Sequence, residues 1–107
     1  MMTVVTTSTL LPGSEAEWDR AMRERFESVR SRPGWISGQL LTPDDGTSTR
    51  VIVGTWASRE DWESWHHDPA FLEQRETLER LEQEPSRSQW FRVVADARTD
   101  GGAGRDT

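Results

Sequence analysis

Cysteine is absent from this chain. That excludes disulfides, thiolate nucleophiles and cysteine-held zinc or iron–sulfur centres. Long apolar runs are missing too, so nothing in the sequence reads as a membrane span. The opening stretch, MMTVVTTSTLLPGS, has no basic segment ahead of an apolar core. It does not read as a signal peptide, and a cytoplasmic location is expected. Basic charge is in deficit, with 13 Lys and Arg against 19 Asp and Glu and a net charge of −6. The arginines alternate with glutamates along both helical stretches, a pattern of solvated i,i+4 pairs. No basic stripe is left for a nucleic acid. Neither a phosphate-cradling glycine loop nor a Ser/His/Asp set can be assembled, and Asp44-Asp45-Gly46 lacks the remainder of a calcium loop. What remains is 107 residues, 33% hydrophobic and 30% charged. This length fits one domain, and its lean core favours self-association.

The order of elements is legible from periodicity and punctuation. Residues 3–11, TVVTTSTLL, are β-branched and end at Pro12-Gly13, which marks a strand and a turn. Ser14 with Glu17 predicts a capping box. Trp18, Met22, Phe26 and Val29 then share one face of a helix over 14–31. Pro33-Gly34 stops it. Strands are expected at 35–42 and 49–56, joined through the turn residues PDDG. Ser58 caps a short helix carrying Trp62 and Trp65. Asp68-Pro69 ends that helix and opens another, expected to run to about Gln83. Residues 88–97 are the last strand, and 98–107 a polar, Gly-rich tail expected to be disordered. The domain therefore covers 1–97. Its order, βαββαβ, predicts an α+β, ferredoxin-like antiparallel sheet with its helices on one face. Several strands carry apolar residues at both parities, such as Trp90 and Val94 against Phe91 and Val93. The open face is then expected to be covered by a second copy in a homodimer.

Three groups of residues could carry chemistry. Arg75 interrupts an apolar stripe of Phe71, Leu78 and Leu81. Either its stem lies along that stripe while its head reaches Glu79, or it partners an anion at the edge of a cavity. Trp56, Trp62 and Trp65 fall within ten residues, and each indole is a large apolar wall with one N–H to satisfy. Trp62 also fits a helix-packing role. His66 and His67 are adjacent, so their rings point about 100° apart on a helix and cannot easily share a metal. Their place in a last helical turn suits the helix dipole.

The run G-T-W-A-S-R-E-D-W-E-S-W-H-H-D-P-A-F, with Pro-Gly-Trp leading into the second strand, resembles the antibiotic biosynthesis monooxygenase domain of the dimeric α+β barrel superfamily. The likeness covers roughly residues 3–97. It implies a homodimer with a cleft between sheet and helices in each subunit. The polyketide anthrone oxygenases of that family line the cavity with a Trp closing the third strand and an Arg on the last helix. Trp56 and Arg75 stand there in this chain. Trp62 replaces a tyrosine of that branch, and Ile52 replaces an asparagine. The haem-degrading branch has an Asn on the first strand and an iron-binding His on the last helix, where Thr6 and Arg75 stand. Trp65 matches that branch's ring-distorting tryptophan, and in the quinol-oxidising branch the same place holds a His.

The resemblance implies a cofactor-independent monooxygenase that oxidises an electron-rich aromatic or polyketide with dioxygen. Arg75 and Trp56 are the expected catalytic residues, with Trp62, Trp65, Ile52, Thr6 and Phe71 contacting substrate, and with no metal or other cofactor. The expected partners are a small aromatic, dioxygen and a second copy, but neither nucleic acid nor membrane. A non-catalytic dimer that binds or guides a polyketide is the alternative, and a haem-binding or haem-degrading protein is a further one.

Overall fold

The computed structural model describes residues 1–99. Seven elements follow one another: β1 Met2–Thr9, α1 Glu15–Val29, β2 Trp35–Leu41, β3 Thr49–Trp56, α2 Arg59–His66, α3 Pro69–Glu79 and β4 Arg87–Arg92. The strands form one antiparallel sheet in the order β2-β3-β1-β4, so the ferredoxin-like α+β arrangement expected from βαββαβ is present.

Period-two alternation decides what each face of the sheet does. Val4, Thr6 and Ser8 of β1 and Ile52, Gly54 and Trp56 of β3 look toward the helices, where they line an interior space. The opposite parity carries Val5 beside Val53 and Val51 beside Leu41. Phe91, beside Thr3 on that same outer face, is 49% exposed. A bulge between Trp35 and Ser37 lets Trp35 join the inner face beside Trp56. Gly34 has φ +83°, and a Cβ there would fall 2.2 Å from the Asp61 carboxylate. Glycine thus permits both the turn into β2 and the close seat of α2.

Under the helices the apolar residues gather into two clusters. Leu10, Trp18, Met22 and Leu78 form one, and Val29, Trp56, Trp65 and Phe71 form the other. Between α1 and β3, Arg50 is buried and held by both carboxylate oxygens of Asp19 at 2.8 and 3.1 Å. A cation can stay there because its fork is matched.

Helix caps and element ends show where local reading suffices. Ser58 Oγ accepts from the Asp61 N–H at 3.2 Å, and Asp68 accepts from the Ala70 N–H at 2.8 Å with Pro69 at the first helical position. Ser14 makes no capping bond. Its hydroxyl donates to the carbonyls of Leu11 and Leu81 instead, tying the α1 start to the chain after α3. Helix α3 stops at Glu79 rather than near Gln83. The following residues turn and pair with the end of β1: Leu10 bridges Glu82, and the Gln83 N–H reaches the Thr9 carbonyl at 2.8 Å. Strand β4 ends at Arg92 rather than residue 97, leaving Val94 89% exposed beyond the sheet. Its apolar parity therefore says nothing about a covered face. Residues 100–107 of the tail expected to be disordered lie outside the described residues.

Candidate active site

The space between the sheet and the helices is a cavity of about 340 Å³. Its walls come from every element of the fold, because all seven turn side chains toward it. One end is aromatic. Trp62 meets Trp90 edge-on at 5.3 Å, and Trp65 meets Phe71 edge-on at 5.5 Å. The other end is hydroxylic. Thr6 bonds Ser88 at 2.8 Å and Ser8 bonds Ser86 at 2.7 Å across β1 and the chain entering β4.

All seven residues selected from the sequence line this space. Trp56 is nearly fully buried, and its indole N–H makes no hydrogen bond among the described residues. The nitrogen lies 3.8 Å from where a Cβ on Gly54 would be, so it sits over a position without a side chain. Trp65 is buried, with the Arg32 guanidinium 5.0 Å above its ring. Arg32 in turn pairs with Asp68, the N-cap of α3, which fixes the α2–α3 corner. Ile52 bridges to the first cluster, and Thr6 spends its hydroxyl on Ser88.

Arg75 takes the first of the two placements open to it, its head reaching Glu79. Its Nε donates to Glu79 Oε2 at 2.9 Å, and both side chains are 55% exposed. It stands at the rim, paired along its own helix, so the inward-facing cation has to be sought elsewhere. Arg25 of α1 is that cation. Its Nε and Nη2 are shielded from solvent and have no hydrogen-bond partner among the described residues, while its guanidinium lies 4.3 Å from the centre of the Phe71 ring. Burial pushes its pKa down to about 10, with Arg75 lowering it further and Glu82 and Glu79 acting against that. The group still carries its charge at neutral pH. Two aligned N–H donors on one guanidinium edge, dry and unmatched, suit two coplanar oxygens of an anion.

His66 is the second residue that sequence reading did not assign to the cavity. Its ring sits 3.9 Å from Trp62 and 4.2 Å from Phe71, centre to centre, and it lines the space. Nδ1 lies 2.8 Å from the Trp62 carbonyl. A carbonyl only accepts, so Nδ1 carries the hydrogen and Nε2 keeps a lone pair. Burial drives the pKa down to about 4, and the charges of Arg25, Arg75 and His67 push the same way. Among the described residues, no group of three or more His, Asp or Glu side chains is placed to hold a metal ion.

Both missed residues had a signal. Arg25 falls three positions after Met22 and four before Val29, on the buried stripe of α1, just as Arg75 interrupts the stripe of α3. His66 follows Trp62 by four, which on a helix stacks the two rings.

A ferredoxin-like α+β domain with an aromatic cavity between sheet and helices is the class of protein that these features define. The family model for antibiotic biosynthesis monooxygenase matches residues 1–77, and the chain belongs to that family. Its fold is shared with SnoaB, a cofactor-independent oxygenase from Streptomyces nogalater. The two are 21% identical, with a TM-score of 0.80 over 89% of this chain and 94% of that one. A conserved protein from Methanosarcina mazei is 13% identical, with a TM-score of 0.80 over 85% of this chain and 90% of that one. Among curated proteins, a mycobilin-producing heme oxygenase from Mycobacterium tuberculosis is 31% identical over 58 residues. That match spans 54% of this chain and about half, 55%, of the relative. Among the described residues, no helix is long and apolar enough to cross a membrane.

Proposed function

We propose that this protein is a cofactor-independent monooxygenase for an electron-rich aromatic of the anthrone, phenol or hydroquinone type. The observation that carries this reading is Arg25: a charged guanidinium in an aromatic cavity, with two buried N–H groups that have no partner among the described residues. Fixed donors in a dry site act on charge as it develops. An anthrone-type substrate loses a proton to become an enolate whose charge rests on oxygen, and that oxygen is what Arg25 would hold. The indole N–H of Trp56 is a further donor. Trp62, Trp65 and Phe71 supply the apolar walls, with Ile52 and Thr6 at the sheet side and Arg75 at the rim. The enolate gives one electron to dioxygen, and the resulting radical and superoxide join as a peroxide at the methylene carbon. Loss of water leaves the ketone, so one oxygen atom enters the product and the other leaves as water. The substrate supplies every electron.

The likeness to a heme oxygenase supports the haem reading less well. The sequence of α3, PAFLEQRETLE, has no histidine where the haem-degrading branch keeps its iron ligand.

A homodimer through the outer sheet face belongs to the same reading. Val5, Val51, Val53, Leu41 and Phe91 give that face an apolar surface, which a twofold mate would remove from water. Light scattering at micromolar protein is expected to report twice the chain mass; a monomer would refute the dimer.

Oxygen uptake with 1,8-dihydroxyanthrone tests the chemistry. The protein is expected to accelerate uptake with release of the anthraquinone. Arg25→Met should lower the rate by ~10²–10³, the loss typical of one well-aimed donor. Arg75→Ala should change it only a few-fold, because the rim cation is already paired with Glu79. Equal losses in both variants, or no uptake above background, would overturn this assignment.

A further inference from the structure

We infer that His66 is the base of this site: its Nε2 takes the proton whose departure makes the substrate an anion, while Arg25 holds the oxygen on which the charge collects. This rests on the oxygenase reading above and deepens it. Four observations support the assignment. The Trp62 carbonyl at 2.8 Å fixes the hydrogen on Nδ1 and leaves Nε2 the free lone pair. Trp62 and Phe71 pack against the ring at 3.9 and 4.2 Å, so its orientation is set before substrate arrives. The ring lines the cavity, and Nε2 makes no hydrogen bond among the described residues. Finally, Phe71 is a shared spacer, since the Arg25 guanidinium lies 4.3 Å from its ring centre. Base and cation are thus held against one aromatic side chain.

The proton balance closes on these groups. Nε2 removes a proton from the substrate methylene, and the C–H electron pair moves into the ring system as the enolate. The imidazolium so formed lies beside an anion, which offsets the repulsion it feels from Arg25, Arg75 and His67. Once the peroxide has formed, the same nitrogen returns its proton to the outer peroxide oxygen. The second methylene C–H proton then leaves as the O–O bond breaks, and the departing hydroxide takes it up as water. A base has to be unprotonated in the free protein, and burial next to two guanidinium groups keeps His66 so at neutral pH. General bases of this kind contribute ~10²–10⁴ in rate.

The test separates the base from the oxygenase reading. Under nitrogen, 1,8-dihydroxyanthrone is mixed with wild type, His66→Phe and His66→Asn, and the visible absorption of its anion is followed from pH 6 to 10; oxygen uptake is then measured under air. His66→Phe keeps the stacking and removes the lone pair, while His66→Asn removes the ring, and circular dichroism checks that each is folded. Wild type is expected to hold the probe as its anion at pH 7. Both variants should hold it as the neutral form there, with turnover down roughly 10²-fold and recovering as the pH approaches the probe's own ionisation. Anion formation at pH 7 in the variants equal to wild type overturns His66 as base and leaves the oxygenase reading intact. Oxygen uptake by wild type without the anion at pH 7 overturns the base alone, and failure of wild type to consume oxygen overturns both.

Discussion

Two clusters of similar composition lie a few residues apart under the same helices, and they treat their polar groups in opposite ways. In the first, around Leu10, Trp18, Met22 and Leu78, the indole N–H of Trp18 donates to Glu82 at 2.9 Å, and Ser86 donates to the other oxygen of that carboxylate at 3.0 Å. In the second, around Val29, Trp56, Trp65 and Phe71, neither indole N–H is bonded among the described residues, and Arg25 keeps two bare donors. Buried polar groups left unmatched weaken a fold. The chain can satisfy a buried indole, as Trp18 shows, whereas the second cluster leaves its donors open to the cavity. Both clusters border the cavity; the first has its indole bonded, and the second forms a socket with open donors.

The contrast breaks most visibly if truncations at the two ends behave alike. Trp18→Ala empties a fully buried position and takes from Glu82 one of its two donors, so a loss of about 3–5 kcal/mol in unfolding free energy is expected. Arg25→Met has the opposite sign. It removes a buried cation with unmatched donors, whose burden of ~1–3 kcal/mol is only partly offset by its contact with Phe71. A gain of about 1 kcal/mol should appear as a rise of about 4–8 °C in Tm for a domain of this size, together with the loss of activity described above. Denaturant and thermal unfolding read both variants. If Arg25→Met destabilises as much as Trp18→Ala, Arg25 belongs to the core and the distinction between the clusters fails.

How much of this was legible beforehand follows from the same contrast. Periodicity and turn residues delivered the βαββαβ order, because stripes such as Trp18, Met22 and Val29 and breaks such as Asp68-Pro69 act locally. What escaped depends on contacts across the chain. Ser14 looked like a cap until Leu81 arrived to take its hydroxyl, and α3 lost its last turn to the edge of β1. The aromatic wall could be read from the spacing of Trp56, Trp62 and Trp65. The cation could not be placed, because Arg25 and Arg75 interrupt their stripes in the same way. Only the packing of α1 over Phe71 makes one dry, while Glu79 draws the other into solvent. His66 was hidden by a sufficient local account, since a helix-terminal histidine needs no further explanation from sequence.

A pH-dependent effect sharpens the comparison at the socket itself. The pKa of His66 falls from 6.5 to about 4 on folding, mainly through burial. Between those values the unfolded chain binds a proton at this residue that the folded one does not, so acid favours unfolding. Stability owed to the neutral ring is fully present above pH 6.5, is lost as pH falls toward 4, and changes no further once the folded form is protonated too. Replacing His66 by Phe removes that slope and keeps the stacking with Trp62. Unfolding free energies of the two proteins should therefore run parallel above pH 6.5 and converge or cross below it, with wild type losing more. Glu15 and Asp68, whose pKa values are also lowered, contribute equally to both curves and cancel in the difference. Parallel curves down to pH 4 would mean that the imidazole meets water freely in the folded state. The socket would then be neither dry nor able to keep His66 unprotonated beside a cation.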